Sequence, residues 1–217
     1  MRSKKTWLIV ACTVMVLAVS VVGTIAYLTD TTGPVVNTFT MGKLLDDPLN
    51  FVLKEHQAID ADENGRYDGV YEFTDELVAS NVYNTIVPGV DLPKDPFVKT
   101  NETLKLDAYV FVEVVDKTGT ALQFTVDSDK WTELADVTGP KGGKVYVMED
   151  NGGIAKAGAF LGPIAILTDD EITVDNVAIT NAAAQFGGTV IFYGYMIQAG
   201  GFTDYNAAWA GYVGSGS

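Results

Sequence analysis

From Tyr27 onward the sequence breaks into short runs rich in Val, Ile, Thr, Phe and Tyr, divided by Gly, Asn, Asp and Pro, with little helical periodicity. Apolar runs of that length between turn residues specify strands, and so many in succession specify an all-β sandwich. In VVNTFTMG, Val35, Phe39 and Met41 share one face and Val36, Thr38 and Thr40 the other, as in a half-buried strand. In LNFVLK, Leu49, Phe51 and Leu53 alternate with Asn50, Val52 and Lys54. DAYVFVEVVD is apolar on both faces, which predicts a central strand. LQFTVD, KVYVME, PIAILT, EITVDN and TVIFYGYMIQA are further strands, the last long enough to run the length of a sheet. A short helix is expected through YNAAWAGY, capped by Thr203 or Asp204. Residues 57–96 read as a polar insertion, and TDELVAS within them as a brief helix.

The amino terminus is of another kind. Arg2, Lys4 and Lys5 precede an uncharged run from Trp7 to Leu28, the order of a secretory leader and a length that also spans a bilayer. Thr24-Ile25-Ala26 places small side chains where a signal peptidase needs them, so cleavage is expected between Ala26 and Tyr27. The organisation is therefore a signal peptide (1–26), an amino-terminal segment (27–42) and one sandwich domain (43–217).

Cleavage removes three basic residues and no acidic one, leaving 11 basic against 28 acidic residues, a net charge of −17. Such a surface repels nucleic acid and anionic lipid and attracts divalent cations, so contact with membrane is expected only through the uncleaved leader. The single cysteine, Cys12, lies inside the leader, which leaves packing or metal to stabilise the rest. Ile9-Val10-Ala11-Cys12 resembles a lipoprotein box, but lipidation there would keep a long apolar segment attached.

In DADENGRYDGVYE, Asp60, Asp62, Asn64 and Asp68 occupy positions 1, 3, 5 and 9 of a calcium loop, with Gly65 at the turn. Position 12 departs from the pattern, with Tyr71 there and Glu72 one residue late. The alternative is an acidic surface turn. Calcium is the one candidate cofactor, and none is required. The single histidine, His56, has no second imidazole with which to hold zinc, and no GxSxG turn accompanies any serine. No catalytic residue is assigned, and the expectation is a protein that is not an enzyme. The paired glycines at 152–153, 187–188 and 200–201 lack the order of a phosphate cradle and read as turns.

Several stretches together resemble the TasA/camelysin family of secreted proteins, which form biofilm-matrix fibres in Gram-positive bacteria. GTIAYLTD followed by NTFTMG looks like that family's leader end and first strand. VPGVDLPKDPFV then DAYVFVEV looks like its central motifs, and YMIQAGGFTDYNAAWAGY like its last strand and helix; residues 56–84 match least. The resemblance implies an exported precursor cut by a dedicated ER-type signal peptidase, with a jelly-roll sandwich as its mature part. It also implies an extracellular or cell-surface location and self-assembly into matrix or pilus-like fibres, the amino-terminal strand of one subunit completing a sheet in the next. An accessory fibre protein is a further expected partner. The residues fit strand donation independently: Thr31-Thr32-Gly33-Pro34 does not readily enter a helix, and Val35, Val36, Phe39 and Met41 suit alternate pockets of an acceptor. Two other readings stay open. One is a metal-dependent endopeptidase, as described for the camelysin branch, and the other a monomeric surface adhesin or fibre-capping protein.

Overall fold

The computed structural model describes residues 43–119, 122–175 and 188–214. The leader, the cleavage residues Ala26 and Tyr27, and the donor-strand residues Val35, Val36, Phe39 and Met41 lie outside them.

The chain enters through Leu44, whose carbonyl accepts from the Lys105 N–H at 2.9 Å, and Leu45, which is buried. A single 3₁₀ turn, Pro48–Asn50, is capped by the Asp47 side chain accepting from the Leu49 N–H. Twelve strands follow among the described residues: β1 (Phe51–Asp60), β2 (Tyr71–Val78), β3 (Asp91–Pro93), β4 (Phe97–Thr100), β5 (Ala108–Asp116) and β6 (Leu122–Gln123), then β7 (Trp131–Thr138), β8 (Lys144–Met148), β9 (Ile154–Ala155), β10 (Ile164–Ala165), β11 (Glu171–Val174) and β12 (Val190–Gln198). A one-turn helix α1 (Asp150–Gly153) lies between β8 and β9, and α2 (Tyr205–Gly214) ends the described chain. The protein is thus mostly β-sheet with one short carboxyl-terminal helix.

One sheet has the order β10-β4-β1-β2, a second β12-β5-β8-β7 with β9 also on β5, and a third, small one β3-β11-β6. The first two face each other in a sandwich-like arrangement. Val98 from β4 and the partly buried Phe51 and Leu53 from β1 share one core with Val110 and Val112 from β5, Trp131 from β7 and Met148 from β8. The Trp131 indole N–H also reaches the Ala165 carbonyl at 2.8 Å, tying the two sheets together. β5 is central, as its two-sided apolar pattern predicts: all its residues but Asp116 are buried.

Its odd-numbered residues turn to the opposite face. There Tyr109 and Phe111 pack with Val145, Val147 and Leu134 under α2, whose Trp209 is 3 % exposed. Asp204 caps that helix, its carboxylate accepting from the Ala207 N–H at 2.8 Å, so the second of the two expected caps is the one used.

One local expectation fails. Thr74-Asp75-Glu76-Leu77-Val78 is strand, not helix: it belongs to β2, in register Asp60↔Tyr71, Ala58↔Phe73 and His56↔Leu77 with β1. The helix-favouring Glu76 and Leu77 are overridden by the period-two set Tyr71, Phe73 and Leu77, which only a strand lays against β1. Residues 57–96, expected as an insertion, hold the last four residues of β1 and all of β2 and β3.

Candidate functional site: an open sheet edge and an acidic loop

Where β1 bulges between His56 and Ala58, Asn81 takes the place of a partner strand. Its amide nitrogen donates to the His56 carbonyl at 2.8 Å and its amide oxygen accepts from the Ala58 N–H at 2.9 Å. Beside it the buried Glu55 accepts from the Asn81 N–H at 2.6 Å and pairs with Lys94 at 2.6 Å. The next residue along each segment pairs as well, His56 Nδ1 lying 2.5 Å from Asp95 Oδ2, with the Phe73 and Phe97 rings against the imidazole. This polar seam fastens the Lys94-Asp95-Pro96 strap to β1. His56, the residue a metal peptidase would need, is occupied by Asp95, and among the described residues no group of three or more His, Cys, Asp or Glu side chains is arranged to hold a metal ion.

The loop after β1 does gather the four expected calcium-loop residues. The Asn64 amide nitrogen donates to Asp62 at 2.8 Å and to Asp68 at 2.9 Å, while Asp60 accepts from the Gly65 N–H at 2.7 Å. Gly65 has φ of +79°, a backbone conformation glycine adopts without steric cost, so the expected turn residue makes the turn. The Asn64 oxygen, which a calcium ion would require, is instead bound by the Arg66 N–H at 2.8 Å, so coordination needs that amide to rotate.

The carboxylates crowd one another. The Asp60 side chain beside it, then desolvation, raise the Asp62 carboxyl above the usual range. Desolvation opposes ionisation of Asp60, but hydrogen bonding from Asp62 and from the Gly65 and Arg66 N–H groups outweighs it and holds that carboxyl low. Asp60 Oδ1 is shielded from solvent and has no donor from a neighbouring N–H. A proton shared with Asp62 would satisfy it, and so would a cation between the two carboxylates.

The third feature is the edge of β12. This strand pairs with β5 along nine residues in unbroken antiparallel register, Val190↔Asp116 to Gln198↔Ala108, and has no strand partner on its other side among the described residues. Its sequence, VIFYGYMIQ, contains no charge and no proline, and every residue is partly exposed. Other edges are defended. β2 carries Glu72, Asp75 and Glu76, β7 has an irregularity between Glu133 and Thr138, and β3, β6 and β10 have only two or three residues. A long regular uncharged edge is what protein sheets ordinarily avoid, because it offers a row of unpaired main-chain groups to any other strand.

The edge is also held firm. Even-numbered β12 residues face the sandwich core, where Phe192 and Met196 pack and Gly194 lets the Phe51 ring approach to 3.0 Å of the space a Cβ would fill. Odd-numbered ones face α2, and the Tyr195 hydroxyl donates to Glu113 at 2.7 Å. Glu113 is fully buried and also accepts from the Lys141 and Gly143 N–H groups, both at 2.8 Å, so one carboxylate fastens the β7–β8 turn and β12 to the central strand. Desolvation, followed by this carboxylate, pushes the Tyr195 phenol well above its ordinary pKa. Two small cavities of about 170 and 140 Å³ open beside the start of β12 and share Lys94, Thr189 and Val190 in their walls.

Sequence reading found β12 as a strand but not its open side, since strand neighbours are not written in local pattern. Glu113 was equally hidden, as a lone acid in an apolar strand; that oddity was the available signal. Among the described residues no helix is long and apolar enough to cross a membrane. Comparison with protein-family models, curated proteins and solved structures finds no match to this chain.

Proposed function

We propose that this chain is the precursor of a secreted structural subunit that polymerises into extracellular matrix or pilus-like fibres. The observation that carries the reading is the edge of β12, open among the described residues, nine residues long, uncharged and unbulged, where the other described edges are short, charged or irregular. Strand addition at such an edge supplies a row of main-chain hydrogen bonds, and neighbouring cavities receive alternate side chains. The donor is the segment after the cleavage point, with Val35, Val36, Phe39 and Met41 as its pocket-filling residues. Eight residues from Val35 to Gly42 reach about 26–29 Å when extended, close to the roughly 30 Å of a nine-residue strand. Head-to-tail donation between identical subunits yields an open filament.

The rest of the proposal follows from that assembly. A signal peptidase cuts between Ala26 and Tyr27 and frees the donor; the sandwich is of jelly-roll type; and the chain has no catalytic role. Calcium at Asp60, Asp62, Asn64 and Asp68 would be an accessory, favoured by the shielded Asp60 oxygen and the acidic charge. The protein acts outside the cell, with copies of itself as principal partner and an accessory fibre protein as a second.

Electron microscopy of the chain from Tyr27, beside one beginning at Lys43, each with and without calcium, tests this reading. Filaments from the longer form and none from the shorter are expected. Absence of filaments from both would return the adhesin, cap and peptidase readings.

A further inference from the structure

The open edge has a second property that strand donation does not use. Read outward from Gly194, the sequence of β12 is nearly the same in both directions: Tyr193 and Tyr195, Phe192 and Met196, Ile191 and Ile197. An antiparallel strand pair places residue i opposite residue j with i + j constant, so two copies of β12 centred on Gly194 would oppose like with like. Tyr would meet Tyr, Ile would meet Ile, and Phe would meet Met, all favourable cross-strand pairs. The twofold axis makes each contact occur twice, the isologous form that closes a dimer.

Neither end of the edge is a block of one charge. Beyond Val190, Lys117 donates its N–H to the Thr189 carbonyl. Lys94, already neutralised by Glu55, lies 5.8 Å from the Phe192 ring, and the exposed Lys141 lies 5.7 Å from the Tyr193 ring. Asp116, opposite Val190, is the acid at that end. Beyond Gln198 are Asp107, whose carbonyl accepts from the Ala199 N–H, and Asp204, with Lys156 paired to Asp107. The twofold axis brings the Val190 end of one copy, where Lys141 and Asp116 lie, to the Gln198 end of the other, where Asp204 and the Asp107–Lys156 pair lie, so a chain of net charge −14 meets itself at this seam through charges of both signs.

We propose that the β12 edge, when no donor strand occupies it, pairs antiparallel with the β12 edge of a second copy, centred on Gly194. The sheet then runs unbroken through both subunits, β7-β8-β5-β12 meeting its twofold image. Such a dimer hides the edge from donor strands and holds subunits out of the fibre until a donor displaces the partner. The dimer itself rests on the edge alone and not on the fibre reading.

The test uses the full chain carrying Cys12→Ser, in a non-ionic detergent. Sedimentation equilibrium should give a dimer. Photo-oxidation of mixed ¹⁴N- and ¹⁵N-labelled chains should give a dityrosine link joining Tyr193 of one isotope to Tyr195 of the other. Tyr193 and Ile191 belong to neither apolar core, so Tyr193→Lys and, as a second variant, Ile191→Lys should keep the wild-type circular dichroism yet sediment as monomers. An equimolar mixture of Tyr193→Lys and Tyr193→Glu chains should regain the dimer. A wild-type monomer at every concentration overturns the proposal, as does a dimer that both lysine variants leave intact or whose cross-link maps elsewhere. Filaments formed by a chain that never dimerises would refute this inference and keep the fibre reading; a dimer without filaments would do the reverse.

Discussion

Glu113 offers the sharpest test of how the β12 edge is held, because one carboxylate receives three hydrogen bonds and, among the described residues, has no cation paired to it. In Glu113→Ala all three are lost at once. Bonds to a charged acceptor are worth about 1.5–3 kcal/mol each. Lys141 is exposed, so water replaces its bond, whereas the buried Gly143 N–H is left without a partner at a cost of about 1–3 kcal/mol. Relief from burying a charge offsets part of this. The net loss expected is about 2–4 kcal/mol, a drop in melting temperature of about 5–15 °C for a domain of this size. Glu113→Gln keeps an acceptor oxygen for the two N–H groups and should lose only about 1 kcal/mol.

Gly139 adds a second handle. A Cβ built there would lie 2.2 Å from the Glu113 Cδ, and Gly139 is not at positive φ, so Gly139→Ala is opposed by the carboxylate and not by its own backbone. Overpacking of this kind costs about 1–3 kcal/mol. In the Glu113→Ala background the obstacle is gone, so most of that cost should vanish, giving a coupling of similar size between two residues 26 apart in sequence. Urea unfolding of the two single variants and the double variant, followed by tryptophan fluorescence, measures it. Additive losses, or equal losses for Glu113→Ala and Glu113→Gln, would show that the carboxylate does not organise the turn.

Four other outcomes are expected. Trp209→Ala should cost about 3–5 kcal/mol and free α2 from the sheet, seen as lost helical circular dichroism together with a lower melting temperature. Thr85 is a β-branched residue at φ of +55° in an exposed loop, so Thr85→Gly should raise stability by about 1 kcal/mol in the same unfolding assay. Desolvation first, then Glu133, push the Tyr146 phenol to about 12 from an ordinary 10, so the stability it contributes is whole below pH 10 and is lost as pH rises towards 12. Tyr146→Phe should flatten that alkaline decline in melting temperature. The Asp60 side chain first, then desolvation, raise the Asp62 carboxyl, and calcium between the two carboxylates would favour its ionised form, so calcium affinity by titration calorimetry should rise with pH through the carboxylate range and Asp62→Asn should flatten that rise.

Elements whose burial follows from their own sequence were legible: β5 is apolar on both faces and lies at the centre, and Asp204 caps the helix its sequence announces. Thr74 to Val78 was not, because what makes it a strand is the register with His56, Ala58 and Asp60 across a ten-residue loop, and Glu and Leu read alone favour helix. The polar seam was hidden for the same reason. Glu55 and Lys94 are 39 positions apart, and neither spacing nor composition says that they meet at 2.6 Å. The acidic loop is local in chain, so its four residues were found together, while the rotation that keeps the Asn64 oxygen away from a cation depends on the Arg66 N–H and needs coordinates. The β12 edge joins the two cases. Its near-palindrome is printed in the sequence, but symmetry in a buried central strand would mean nothing. Only the absence of a strand beyond it, among the described residues, turns that symmetry into a surface that a second copy can read.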